Sequence, residues 1–90
     1  MTDRELLELA AKAAGIDMQQ HCGWHPLYDD GDALRLAVKL EMQIDLRHSF
    51  HTVRVYGAAE GRIDEGAKDP YAATRRAIVR AAAEIGKEMI

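Results

Sequence analysis

Ninety residues and 10.0 kDa suffice for one small domain over residues 1–90, of a size that buries about 60–65% of its unfolded surface. Apolar residues make up 48% and charged residues 30%, with two prolines and one cysteine, a globular composition that excludes disordered, collagen-like and disulfide-stapled classes. No apolar run is long enough for a membrane span, and no basic start leads into an apolar one, so the expectation is a soluble cytoplasmic protein without a signal peptide. The net charge of −3 is unevenly spread: residues 1–45 hold four basic and nine acidic side chains, and residues 46–90 eight and six.

The first element is a helix over about 3–14. Thr2 and Glu5 stand at capping-box spacing, so that hydroxyl and carboxylate each satisfy a first-turn amide. Leu6, Leu9, Ala10 and Ala13 recur at helical spacing, and Gly15 suits the left-handed residue that ends many helices. Residues 16–23 alternate weakly, which gives a short strand near 16–19. Trp24, His25, Pro26 and Leu27 follow as a packed turn, with Trp24 expected to be largely buried and Pro26 holding His25 out of the helical region.

Asp29 or Asp30 then caps a second helix over about 30–41, and Asp32 sits near its positive end. Ala33, Leu36, Ala37 and Leu40 form its core stripe, widened by Leu34 and Val38 as for a helix lying on a sheet. The period next changes to two. Met42, Ile44 and Leu46, then Val53 and Val55, alternate with polar residues around a connector, which reads as an antiparallel hairpin over 42–56. Residues 57–69 read as an irregular connection in which Ile63 adds a brief strand or packs into the core. Asp69 as cap and Pro70 at the first helical position open a third helix over 70–88. Its stripe is Ile78, Ala81, Ala82, Ile85 and Met89, with Gly86 weakening the last turns. The expected fold is α+β, a small antiparallel sheet packed with three helices.

Three constellations bear on chemistry. His21, Cys22 and His25, with His48 and His51 near the hairpin turn, are zinc-ligand types, yet without a second cysteine pair they read more readily as turn residues than as a metal site. Cys22 or Ser49 beside a histidine supplies a nucleophile and a base on paper. No nucleophile elbow or phosphate-cradling glycine loop accompanies them, and neither a catalytic residue nor a cofactor is assigned. Arg75, Arg76 and Arg80, with Arg62 and Lys68 nearby, offer a weak nucleic-acid-binding patch. Arg75 points about 100° away from Arg76 on a helix, and Glu84 stands ready to pair with Arg80.

Two segments are more distinctive. The run from Trp24 to Ala37 resembles the W-x-P-L-x-D-D-G-D-A-L-R-L-A signature of small uncharacterised phage and prophage proteins, and the run from Asp69 to Ala82 resembles their C-terminal helix. Most of the chain is thereby similar to the phage ABA-sandwich domain. The resemblance implies helices on both faces of the sheet and a phage or prophage setting in a host cell, with no activity attached. Departures are the room for only one short strand in 16–23, His25 in place of a small amide, and the polar hairpin face of Gln43, Asp45 and Arg47. Trp24, Pro26, Asp30, Asp69 and Pro70 are expected to be structural, as members of a buried turn and of two helix starts. The functional expectation is a phage-type accessory protein that acts by binding a host protein, a phage protein, a small molecule or another copy of itself, away from membranes, with a monomer favoured over a homodimer. Nucleic-acid binding and metal binding are its alternatives.

Overall fold

The computed structural model describes residues 1–21, 23–46, 52–56, 62–66 and 69–89. Cys22, Ser49, His48, His51 and Lys68 lie outside the described residues. The order is α1 (Asp3–Ala14), α2 (Asp30–Lys39), β1 (Gln43–Asp45), β2 (Thr52–Tyr56), β3 (Arg62–Gly66) and α3 (Pro70–Glu88). This is the expected α+β class, with α1 and α3 at the bounds their capping residues set.

The caps explain that agreement. Thr2 Oγ1 accepts the Glu5 amide at 3.1 Å while a Glu5 carboxylate oxygen accepts the Thr2 amide at 3.3 Å, and Gly15 closes α1 with φ of 70°. Asp69 accepts the amides of Tyr71 and Ala72 at 3.0 and 3.3 Å ahead of Pro70. In α2 the cap is Asp29, whose carboxylate accepts the Asp32 amide at 3.0 Å; Asp30 is the first helical residue. The helix stops at Lys39, before the expected residue 41, because Glu41 turns into left-handed backbone at φ 55° and the Met42 amide bonds back to the Ala37 carbonyl at 2.9 Å.

Two expectations about strands are corrected. Residues 16–19 form no strand: Asp17 accepts the Gln19 amide on its side chain at 2.9 Å and the Gln20 and His21 amides on its carbonyl, both at 3.1 Å. Such local bonds curl the chain before it can pair. The connection after the hairpin, in contrast, contains β3. Among the described residues the sheet has three antiparallel strands in the order β1–β2–β3, and its register sets Ile44 beside Val55 and Val55 beside Ile63.

Helix α3 is the hub. It lies on β2 and β3, and both α1 and α2 pack against it, so that Ala73, Ala77, Ile78, Val79, Ala81, Ala82 and Ala83 are all buried. That is wider than the expected stripe. Ile85 is only half-buried and Met89 is exposed. The buried face of α1 is Leu6, Leu7, Ala10, Ala11 and Ala14, rotated from the expected one, leaving Leu9 and Ala13 half-buried. Small residues let these two backbones approach so closely that a Cβ on Gly86 would collide with the Leu9 carbonyl oxygen.

Candidate functional site

The segment from Trp24 to Arg35 locks onto itself. The Asp32 carboxylate, 12% exposed, accepts the His25 amide at 2.9 Å and the Arg35 guanidinium at 2.8 Å. These bonds, the His25 amide foremost, hold its carboxyl below the usual carboxylate range. Pro26 and Leu27 are the buried members of the turn, whereas Trp24 is half-buried against the core rather than largely enclosed. The His25 ring sits on Tyr28 with centroids 4.4 Å apart, and its Nδ1 is buried without a hydrogen-bond partner. His21 is exposed, and among the described residues no three metal-ligating side chains gather.

Arg75 joins this segment to α3. Its Nε donates to the Leu27 carbonyl at 2.9 Å and its Nη1 to the Asp30 carboxylate at 2.6 Å, and the side chain is 17% exposed. Asp30 therefore serves as an ion-pair partner rather than as the cap. Arg76 and Arg80 face elsewhere, in a polar cleft of about 300 Å³ shared with Lys87, Glu84 and Met1. There Arg76 pairs with Asp3 at 3.1 Å and Lys87 with Glu84 at 3.4 Å. The three arginines do not form one patch. Arg62 stands on β3 opposite Tyr56 of β2.

A groove of about 260 Å³ opens between α2, β1 and the first half of α3. Buried Ala33 and Ile78 and half-buried Ile44 form its floor, and exposed Leu34, Leu46 and Tyr71 its rim. The Asp30–Arg75 pair completes the wall. Val38 lies one turn beyond Leu34 on the same side of α2, and Leu34, Val38, Leu46 and Tyr71 are 59%, 69%, 56% and 70% exposed. The expectation that Leu34 and Val38 widen a buried stripe is thus corrected: α2 rests on α3 through Ala33, Leu36 and Ala37 and turns these two outward. Their surplus of apolar character on so short a helix was the sequence signal for the groove.

No family model, curated protein or solved structure matches this chain. Among the described residues no helix is long and apolar enough to cross a membrane.

Proposed function

We propose that the chain is a small phage- or prophage-type accessory protein that binds a partner in the α2–β1–α3 groove in the host cytoplasm, with no chemistry of its own. The supporting observation is the apolar rim of Leu34, Leu46 and Tyr71, each more than half exposed above a buried floor. Clustered exposed apolar side chains of this kind mark interaction sites on small proteins. The charged groups closest to the groove are engaged in the fold, Arg75 by Leu27 and Asp30 and Asp32 by His25 and Arg35. The phage setting rests on the resemblance of residues 24–37 and 69–82. Immobilised protein and its Leu34→Glu variant, exposed to the same host lysate, test the groove: a partner held by the first and lost by the second is expected. Equal retention by both would sink the assignment, and reproducible turnover of a substrate, abolished by Leu34→Glu, would overturn the non-enzymatic part.

A second reading rests on the cleft that Arg76, Arg80 and Lys87 share. Phosphate contacts there would make the logarithm of affinity fall steeply with the logarithm of salt concentration. Absence of binding to single- and double-stranded probes at low salt removes it.

A further inference from the structure

We infer that the Asp30–Gly31 bond is the protein's site of spontaneous isoaspartate formation, and that the hold of Arg75 on the Asp30 carboxylate sets how fast it forms. The sequence concentrates this chemistry in one place. It has no asparagine, and Asp30 is its only aspartate followed by glycine. A residue without a side chain leaves its amide nitrogen open to the preceding carboxyl group. In the reaction the Gly31 nitrogen bonds to Asp30 Cγ while a Cγ–O bond breaks. The oxygen leaves as water with the amide proton and the carboxyl proton. Water then adds to the cyclic imide, and opening at the main-chain carbonyl routes the backbone through the side chain, with no atom gained or lost overall.

The fold leaves the reacting groups accessible and restrains one of them. Asp30 is the first residue of α2, with its side chain 68% exposed. Gly31 follows it, and amides at a helix start have no carbonyl one turn back to bind them. The restraint is on the Asp30 carboxylate, which accepts from Arg75 Nη1 at 2.6 Å while Arg75 Nε donates to the Leu27 carbonyl at 2.9 Å. Cyclisation has to break the first of these bonds and distort the helix start, so it proceeds through a local opening. Glycine is nonetheless needed here. A Cβ on Gly31 would stand 3.1 Å from Asp29 Oδ1, the oxygen that accepts the Asp32 amide, and 3.2 Å from the Arg35 guanidinium. Conversion inserts a methylene into the main chain between Asp29 and Asp32 and withdraws the carboxylate from Arg75. Cap, clamp and one wall of the groove are disturbed together.

The test incubates purified protein at neutral pH, folded and in urea, and maps isoaspartate by methyltransferase labelling and fragmentation of the peptide that contains Asp30. The label is expected at Asp30 ahead of every other aspartate, and at least about tenfold more slowly in the folded chain than in urea, because opening the helix start costs free energy. Arg75→Lys loses the fork. It should speed the folded-state reaction about tenfold, the open population rising by the worth of a charged hydrogen bond. Thr2→Ala is the control: it removes the α1 cap and lowers stability, yet leaves Asp30 and its partners in place, so its rate at Asp30 should equal that of wild type. Isoaspartate first at another aspartate, or none at Asp30 in urea, overturns the site. Equal rates in the folded and urea-unfolded chain, equal rates in Arg75→Lys and wild type, or equal acceleration by Thr2→Ala and Arg75→Lys overturns the role of Arg75.

Discussion

Asp32 is the charge around which the Trp24–Arg35 segment closes, since its two carboxylate oxygens hold the His25 amide and the Arg35 guanidinium. Removing it leaves a part-buried amide without its acceptor, so Asp32→Ala should cost about 1–3 kcal/mol in a urea titration. The pH dependence has a definite sign. A carboxyl whose pKa is lowered by folding adds stability above its unfolded value of about 3.9, and that contribution disappears as pH falls through the folded value. The gap between wild type and Asp32→Ala should therefore be full at neutral pH and shrink below about pH 4; a gap unchanged by acid would rule out this role. Gly86 is a second case in which local and tertiary preferences oppose each other. Helix propensity alone predicts that Gly86→Ala gains up to about 1 kcal/mol. The collision with the Leu9 carbonyl predicts a net loss of about 1–3 kcal/mol, because backbone on a packed helix has little room to yield. A raised unfolding midpoint in that variant would contradict the close α1–α3 approach.

At the scale of elements, Arg75 shows how a helix is held by its neighbours. Its guanidinium spans the Leu27 carbonyl and the Asp30 carboxylate, a fork that lysine, as a single point of charge, does not reproduce. Arg75→Lys should lower stability by about 1–2 kcal/mol and leave the salt dependence of any nucleic-acid binding untouched. A variant of wild-type stability would show that the clamp contributes nothing. Helices α1 and α3 were legible because Thr2, Glu5, Asp69 and Pro70 act within one turn of their own chain. The direction in which a helix faces is set by its partner. Leu9 and Ala13 look as apolar as Leu6 and Ala10, yet packing buries Leu6, Leu7, Ala10, Ala11 and Ala14 and leaves those two half-buried. In 16–21 the weak alternation is outcompeted by the hydrogen bonds that Asp17 accepts from Gln19, Gln20 and His21, a local signal that the sequence also carries.

Among the described residues one hydrophobic cluster runs from Leu6 on α1 through Leu36 on α2 and Val55 on β2 to Ile78 and Val79 on α3. A single core of this kind unfolds as one unit, so Trp24 fluorescence and far-ultraviolet circular dichroism should report coincident melting curves. Separated transitions would show that the helices and the sheet are stabilised independently. Sedimentation over a concentration series should give one species at 10.0 kDa, and a dimer at low micromolar concentration would contradict it.

Composition, capping residues and the change of hydrophobic period were enough to determine the α+β class, the bounds of α1 and α3 and the β1–β2 pairing, because each acts over a few residues or one turn. The acidic run Asp29, Asp30 and Asp32 was legible as the start of a helix, but its division of labour was not. One aspartate caps, one meets Arg75 forty-five positions away, and one holds the preceding turn. Likewise only packing against α3 decided that Leu34 and Val38 face outward, and only the register of β3 against β2 showed that β1 lies at an edge of the sheet. The groove joins α2, β1 and α3, elements separated along the chain. Side-chain spacing records the conformation of a segment, whereas a surface shared by three segments exists only after α3 has gathered them.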